Sequence, residues 1–169
     1  MLHIFLYLCD KDTIYFDKNA MPNATKQSFP HNSPRIREVE GEKYIWDSLR
    51  GKWLLLTPEE QVRQATISKL IAWGIPPLRI TQEYPVNVNG QHQRADIVVM
   101  NNTAKPHILV ECKAPEVDID EEVARQAMRY NAIVGARYVL LTNGRKAFAF
   151  EFAESKYRPL SSFDEMLQK

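Results

Sequence analysis

The 169-residue chain contains little cysteine, with only Cys9 and Cys112, which are far apart in the sequence. Two cysteines cannot form a disulfide framework, and Cys112 lies in an apolar run where a buried free thiol is the usual occupant. The four histidines show no metal-ligand pattern, and no zinc-type cysteine spacing exists. The sequence therefore contains no sign of a zinc protein or of a disulfide-stabilised domain.

The chain also lacks net charge and long apolar runs. Its 22 Lys and Arg residues against 21 Asp and Glu residues leave a charge of +1, which excludes a polybasic protein but allows a local basic groove. The apolar residues 2–8 are too few to span a bilayer, and no small-residue cleavage site follows them. We therefore expect a cytoplasmic protein without membrane contact. The phosphate-binding motif Gly-x-x-x-x-Gly-Lys-[Ser/Thr] is missing, so we expect no ATP site.

The first 39 residues differ from the rest of the chain. The polar, Pro-containing stretch from Pro22 to Pro34 is typical of loop or disorder. We hypothesise that Met21 is the natural start, which N-terminal sequencing of the native protein would test against Met1. We assign residues 1–39 to an extension, 40–155 to one domain, and 156–169 to a tail with a short helix over 163–167.

Apolar periodicity and turn residues predict the elements of the domain. A hairpin is expected over 44–46 and 53–56, and a helix begins at Thr57 as N-cap and ends before Gly74. Strands 97–100 and 108–110 are apolar on both faces, which is typical of the centre of a sheet covered on both sides. The fold class is therefore α/β, a sandwich with a mixed central sheet. The remaining predicted elements are strands 79–88, 94–100, 107–113, 137–142 and 147–152, and a helix over 119–134.

Three charged residues interrupt these apolar strands: Asp96, Glu111 and Lys113. Glu111 and Lys113 are two apart on one strand and share a face. A hairpin that is symmetric about residues 103–104 opposes Asp96 to Glu111 and Arg94 to Lys113. Directly opposed strand residues have Cβ atoms about 5 Å apart, and like charges in such a pair are destabilising. A hard divalent cation, most plausibly Mg²⁺, would compensate them. The alternative is a buried ion-pair network without metal.

The strings Arg94-Ala-Asp96-Ile-Val-Val and Leu-Val-Glu111-Cys-Lys113-Ala-Pro resemble the N-terminal nuclease domain of type I restriction enzyme R proteins, in its stand-alone form. The D…(D/E)xK pattern is that of the PD-(D/E)xK restriction-endonuclease-like nucleases. The resemblance covers residues from about 40 to 152. It implies a restriction-endonuclease-like α/β/α sandwich in which Asp96 and Glu111 ligate Mg²⁺, with Mn²⁺ as a substitute, and Lys113 orients the attacking water.

The same resemblance implies further site residues. A family acid on the first helix matches Glu60 or Glu59, and we favour Glu60 as a third metal ligand. Its alternative role is that of a capping-box residue. Gln126 and Tyr130, four apart on one helix face, match a QxxxY element of related nucleases. Their alternative is a surface Gln with a core Tyr. The candidate nucleic-acid contacts are Arg63, Arg94, Arg125, Arg129, Arg145, Lys146 and the Tyr130 ring.

These features predict a metal-dependent deoxyribonuclease that hydrolyses phosphodiester bonds in restriction, defence or DNA processing. The alternative is a catalytically inactive DNA-binding or accessory subunit with the same fold. A third hypothesis is a subunit that docks on a separate motor or methyltransferase through the hairpin that carries Trp46 and Trp53. A homodimer, common among nucleases that cut both strands, stays open, as do the form of the DNA and any sequence specificity.

Overall fold

The structure, a computed structural model, describes residues 6–7 and 34–167. The hypothesis about Met21, the residue Cys9 and most of the predicted extension lie outside the described residues. Within residues 34–167, no helix has the length and apolar content that a bilayer crossing requires.

The strands are β1 (Leu6–Tyr7), β2 (Ile36–Val39), β3 (Glu42–Asp47), β4 (Lys52–Leu55), β5 (Ile80–Val88), β6 (Gln91–Met100), β7 (Pro106–Cys112), β8 (Tyr138–Thr142), β9 (Ala147–Ala153) and β10 (Lys156–Pro159). The helices are α1 (Pro58–Ala72), α2 (Glu121–Val134), α3 (Asp164–Leu167) and a 3-10 turn at Pro77–Arg79.

A mixed sheet forms the centre of the molecule, with the strand order β1-β10-β9-β8-β7-β6-β5. The pair β7 and β8 is parallel, and the other neighbouring pairs are antiparallel. The connection between the two parallel strands contains α2, as parallel pairing requires a long crossover. The strand order gives β6 and β7, which carry Asp96 and Glu111, a neighbouring strand on both sides.

Both faces of this sheet are covered, because neighbouring residues of the central strands enter two different hydrophobic clusters. Val98 and Leu109 pack with α2 on one face. Ile97 and Val110 pack with α1 on the other. All four side chains are fully buried. This arrangement confirms the predicted α/β/α sandwich with a mixed central sheet, the architecture of restriction-endonuclease-like proteins.

A second sheet of three antiparallel strands, in the order β2-β3-β4, precedes α1. The predicted hairpin is present as β3 and β4. The assignment of residues 36–39 to an unstructured extension is wrong, because β2 pairs with β3 across a two-residue turn. Glu40 and Gly41 both have positive φ, 53° and 82°, as a type I′ turn requires. The glycine was the available sequence signal for this turn.

The predicted tail also begins with a strand. β10 pairs with β9 across Glu154 and Ser155, whose φ values are 52° and 60°. Neither residue type favours a left-handed conformation, so the sequence carries no signal for this turn. The predicted terminal helix is present as α3. The pair Asn89-Gly90, a sequence that favours tight hairpin turns, connects β5 and β6 with positive φ at both residues.

Helix α1 begins as the sequence predicts. Thr57 is the N-cap, and its hydroxyl accepts the Glu60 N–H at 3.0 Å, while Pro58 occupies the first turn. In a full capping box, the Glu60 carboxylate would accept the Thr57 N–H in return. Here the Thr57 N–H donates to the Leu55 carbonyl instead, at 3.0 Å. The carboxylate of Glu60 is therefore available for other partners.

We expect Thr57→Ala to lower the free energy of unfolding by about 1 kcal/mol, because it removes the acceptor for an otherwise unsatisfied amide of α1. Urea denaturation followed by circular dichroism measures this loss. Thr57→Ser, which keeps the hydroxyl, is the matched control. Equal stability of the two variants would contradict the capping role.

Candidate active site

The Asp96 carboxylate lies where β6 and β7 separate. Val98 pairs with Leu109 and Ile97 with Val110, which confirms the predicted register of this hairpin. The paired ladder ends there. Asp96 Oδ2 then accepts the backbone N–H of Cys112 at 2.7 Å, so a side-chain hydrogen bond continues where the backbone ladder stops. This bond fixes Asp96 beside the chain segment that carries Glu111.

The predicted opposition of Arg94 and Lys113 is wrong. Arg94 pairs with Pro85 in β5, and its side chain is 68% exposed, with Nη1 3.7 Å from Glu83 Oε2. The N–H of Lys113 instead donates to the Thr142 carbonyl at the end of β8, at 2.9 Å. The physical reason is that β7 has left β6 at this point and follows β8.

Glu111 and Lys113 share a face of their strand, as the period of two predicts. Lys113 Nζ donates to Glu111 Oε1 at 2.9 Å and to Gln126 Oε1, on α2, at 3.1 Å. The Gln126 amide in turn donates to the Tyr130 hydroxyl at 3.1 Å, and that hydroxyl lies 3.4 Å from Gln93 Oε1. A polar chain therefore positions the ammonium group from the α2 side.

Burial and mutual repulsion strain the two carboxylates. Burial raises the pKa of Asp96 to about 6, although the Cys112 amide and the Arg63 charge oppose the shift. Burial and the charge of Asp96 raise the pKa of Glu111 to about 7. Burial lowers the pKa of Lys113, but the charge of Glu111 and its hydrogen bond outweigh this and raise it overall. The two acids therefore favour an added positive charge.

Arg63 and Glu60 form the α1 side of the site. Arg63 Nη1 lies 3.4 Å from Asp96 Oδ1, and its Nε donates to Glu60 Oε2 at 3.0 Å. Gln64 Nε2 donates to Glu60 Oε1 at 2.9 Å. Glu60 is only 5% exposed. Both of its carboxylate oxygens are thus occupied by neighbours on its own helix.

Glu59, one residue earlier, is exposed, and its charge contributes to the raised pKa of Asp96 and of Glu111. From the sequence we favoured Glu60 and left Glu59 open. The hydrogen bonds of Glu60 within α1 and the charge of Glu59 on both strand acids favour Glu59, whose role in the site stays a prediction. The distinguishing signal, the Glu-x-x-x-Gln and Glu-x-x-Arg spacings that engage Glu60 within α1, was present in the sequence.

Glu83 is a site residue that the sequence analysis missed. Its φ is 50°, and it interrupts the ladder of β5 and β6 directly opposite Asp96. Its carboxylate is approached by Arg50 Nη2 at 3.1 Å, by Arg63 Nη1 at 3.5 Å and by Arg94. A left-handed glutamate beside a catalytic candidate is a strained position of the kind found at functional sites. No sequence pattern marked it.

The remaining predicted nucleic-acid contacts lie at different depths. Tyr130 is 7% exposed and packs in the core, so only its hydroxyl reaches the site. Arg125 and Arg129 are exposed on α2, and Arg125 pairs with Glu121 at 2.7 Å. Arg145 is exposed, and Lys146 lies 3.4 Å from Asp118. Of the predicted arginines, only Arg63 and Arg94 lie in the cluster around Glu83 and Asp96.

The donor set fits a hard divalent cation such as Mg²⁺. Glu111 Oε2 is buried without a hydrogen-bond partner, so one carboxylate oxygen has no compensation. Asp96 supplies the second carboxylate, and both are oxygen ligands of the kind Mg²⁺ prefers. Within residues 34–167, however, no three His, Cys, Asp or Glu side chains form a metal-binding group. The protein's own strong donors are therefore two carboxylates.

Comparison with known proteins assigns the family. Residues 58–164 match the family described as the type I restriction enzyme R protein N terminus, which is well over half of the chain. The chain belongs to this family. No curated protein matches it.

The restriction enzyme R family region contains the whole candidate site. Its range includes both acids of α1, the interrupted strand β5, Asp96, Glu111, Lys113 and α2. The three-stranded sheet β2-β3-β4 lies before the matched range. The candidate site therefore lies within the matched residues, apart from Arg50, which contacts Glu83 from the segment before them.

We expect Glu111→Gln to raise the stability of the metal-free protein at pH 8 and to have a smaller effect at pH 5. The folded pKa of Glu111, about 7, lies above its unfolded value of roughly 4.3. The folded state therefore binds the extra proton between these values, and stability falls as the pH rises through that window. Urea unfolding in EDTA at both pH values measures this.

The exposed Glu116 provides the control, because Glu116→Gln removes a carboxylate without changing a buried one. Its effect on stability should be small at both pH values. A Glu111→Gln variant whose pH profile matches that of wild type would contradict the raised pKa.

Proposed function

We propose that the protein is a Mg²⁺-dependent deoxyribonuclease that hydrolyses phosphodiester bonds with Asp96, Glu111 and Lys113. The observation that carries the proposal is the buried Glu111 carboxylate with an unpartnered oxygen, near the partly buried Asp96 carboxylate and beside a positioned lysine. Structural ion pairs rarely leave a buried carboxylate oxygen unsatisfied, because this costs on the order of 1–3 kcal/mol. A site that binds a cation accounts for it.

Asp96 and Glu111 would hold the metal ion through their carboxylates. When bound, a divalent cation supplies charge that polarises the phosphate and makes hydroxide available near neutral pH. The carboxylates must be ionised for this role, and their raised pKa values make binding weaker below about pH 7. Metal affinity should therefore rise with pH through the range in which the two acids lose their protons.

Lys113 is the candidate for orienting the attacking water and stabilising negative charge on the phosphate. Its ammonium group is protonated, has three donors, and uses two of them on Glu111 and Gln126. The third donor is available to a water molecule or a phosphate oxygen. Gln126 acts as a positioning residue, because its Oε1 accepts directly from the ammonium group while its amide donates to the Tyr130 hydroxyl.

Arg63 and Arg94 are the candidate contacts to the DNA backbone near the cleaved bond. Both guanidinium groups lie at the Asp96 end of the sheet, where they approach Glu83. A phosphate would compete with this carboxylate for their donors. Arg125 and Arg129 on the exposed face of α2 would extend the contact, in a surface whose affinity for DNA falls with salt.

Membership of the restriction enzyme R family supports a role in restriction or defence. The D…ExK residues that define PD-(D/E)xK nucleases lie inside the matched range. A homodimer, a separate motor subunit and a methyltransferase subunit are the candidate partners for such a role, with DNA as substrate. Mn²⁺ is the expected substitute for Mg²⁺.

A DNA-binding accessory subunit without catalysis is the second candidate. The observation that favours it is that the described residues contain no three-carboxylate metal group, and that Lys113 pairs directly with Glu111. In that case the ion pair would be structural, and Mg²⁺ would not bind with or without DNA. Calorimetric titration of Mg²⁺ into the protein and into its DNA complex separates the two candidates.

We expect Lys113→Ala to lower the rate of DNA cleavage at least about a hundredfold, because it removes a preorganised donor at the reacting phosphate. Cleavage of supercoiled plasmid and of single-stranded DNA is measured with Mg²⁺, with Mn²⁺ and with EDTA. Lys105→Ala, at the far end of β6, is the matched control and should cleave at the wild-type rate. Equal activity of the Lys113 and Lys105 variants would identify a contaminant or another site.

Substitutions of the two acids of α1 should affect different properties, Mg²⁺ affinity for Glu59 and stability for Glu60. Glu59→Gln should weaken Mg²⁺ binding about tenfold with little effect on stability, because its charge acts on Asp96 and Glu111. Glu60→Gln should cost about 2 kcal/mol of stability, because it weakens the charged hydrogen bonds to Arg63. Calorimetry and urea denaturation on both variants measure the two effects, and the reverse result would restore Glu60 as the metal ligand.

A further inference from the structure

The outer face of the small sheet β2-β3-β4 carries three aromatic rings in a row. Trp46 pairs directly with Trp53, and Tyr44 precedes Trp46 by two residues on the same face. The two indoles meet edge to face, with centroids 5.3 Å apart and planes at 64°. All three side chains are only half-buried. We refer to this face as the aromatic platform.

Two arginines accompany these rings. The guanidinium carbon of Arg37 lies 4.4 Å from the Trp53 centroid, and that of Arg35 lies 5.0 Å from the Trp46 centroid. Both arginines are exposed. The platform therefore alternates flat apolar rings with planar cations that present their donors to solvent.

The platform does not contribute to the hydrophobic core. Its three rings belong to neither of the clusters that cover the central sheet. The opposite face of the same strands supplies the packing, where Ile45 is 1% exposed and Asp47 is fully buried. Partly exposed aromatic rings outside both core clusters are candidates for a binding surface.

The platform is attached to the candidate active site by hydrogen bonds. Gln82 Nε2, on β5, donates to both oxygens of the buried Asp47 at 2.9 and 3.0 Å. Gln64 Nε2 lies 3.3 Å from Gln82 Oε1 and also contacts Glu60. Gln82 pairs with Ile97, the residue after Asp96. A ligand on the platform would thus be held in a defined relation to Asp96.

We propose that the aromatic platform binds unpaired bases of single-stranded nucleic acid. The rings of Trp46, Trp53 and Tyr44 would stack on bases, and Arg35 and Arg37 would contact phosphates or stack as planar groups. This rests on the proposed function, in which the neighbouring site acts on DNA. The platform lies outside the family-matched residues.

Nucleic acid fits these residues better than a protein partner does. Unpaired bases present flat π-faces joined to negative charges at short spacing, which is the complement of rings interleaved with arginines. An acidic peptide would satisfy the arginines but would leave the indole faces without planar partners. Paired bases in a duplex offer no exposed faces, so the platform should select single strands.

The test uses the full chain in EDTA, which prevents cleavage. The chain has three tryptophans, and Trp73→Phe leaves Trp46 and Trp53 as the fluorescent groups. We expect a single-stranded oligothymidine of eight nucleotides to quench this fluorescence, and a duplex of equal length to quench it far less. Oligouridine in a parallel titration distinguishes RNA from DNA as the preferred strand.

Two variants probe the platform independently. Trp53→Leu should weaken oligonucleotide binding about tenfold or more, because it removes a stacking surface. Arg37→Gln keeps both indoles and should weaken oligonucleotide binding. It should also reduce the slope of log affinity against log salt concentration by about the value of one phosphate contact. Lys105→Gln removes a similar charge at the far end of the central sheet and should bind as wild type does. Circular dichroism checks that each variant is folded.

Absence of quenching, equal affinity for duplex and single strand, or wild-type affinity in folded Arg37→Gln would overturn the proposal. Loss of a concentration-dependent dimer in Trp53→Leu without oligonucleotide quenching would instead identify a second copy as the occupant. Binding that Trp53→Leu abolishes in a protein without nuclease activity would support the platform and refute the nuclease. DNA cleavage by a protein whose oligonucleotide binding is unchanged in Trp53→Leu and Arg37→Gln would support the nuclease and refute the platform.

Discussion

The central constraint on this molecule is that two carboxylates, the partly buried Asp96 and the buried Glu111, lie near each other where β6 and β7 separate. Desolvation disfavours the ionised form of both, and the charge of Asp96 also raises the pKa of Glu111. Each carboxylate forms an ion pair with one side chain of the protein: Asp96 with Arg63, and Glu111 with Lys113. These pairs leave one oxygen of Glu111 without a partner, so the compensation is incomplete.

The local deformation of the sheet follows from the same constraint. Pairing between β5 and β6 skips Glu83 and Asp96, and pairing between β6 and β7 stops at Ile97 and Val110. In a regular ladder, the Cys112 N–H would donate to a backbone carbonyl of β6. Here it donates to the Asp96 carboxylate instead. The sheet thus exchanges backbone hydrogen bonds for the placement of one acid, which is a cost that a purely structural strand has no reason to bear.

The register of the central hairpin could be predicted because it depends on local information. The apolar runs of β6 and β7 are joined by the short polar loop 101–105, and matching the two runs about that loop fixes which residues are opposed. The strands β2 and β10 were missed because their turns contain Glu40 and Glu154 with positive φ, a conformation that glutamate rarely adopts. Such turns are imposed by the pairing of the flanking strands, which a local reading of the sequence does not include.

The acid on α1 shows why the finer part of the site could not be predicted. Adjacent helical residues point about 100° apart, so the choice between Glu59 and Glu60 depends on how α1 lies against the sheet. Once Val62, Ile67 and Leu70 are packed on the sheet, Glu60 lies against Arg63 and Gln64, whereas Glu59 stays exposed and its charge acts on the strand carboxylates. Arg63 links the two arrangements, because the same guanidinium contacts Glu60, Glu83 and Asp96. The charge at the site is therefore decided by packing between α1 and the sheet, and a net charge of +1 carries no information about it.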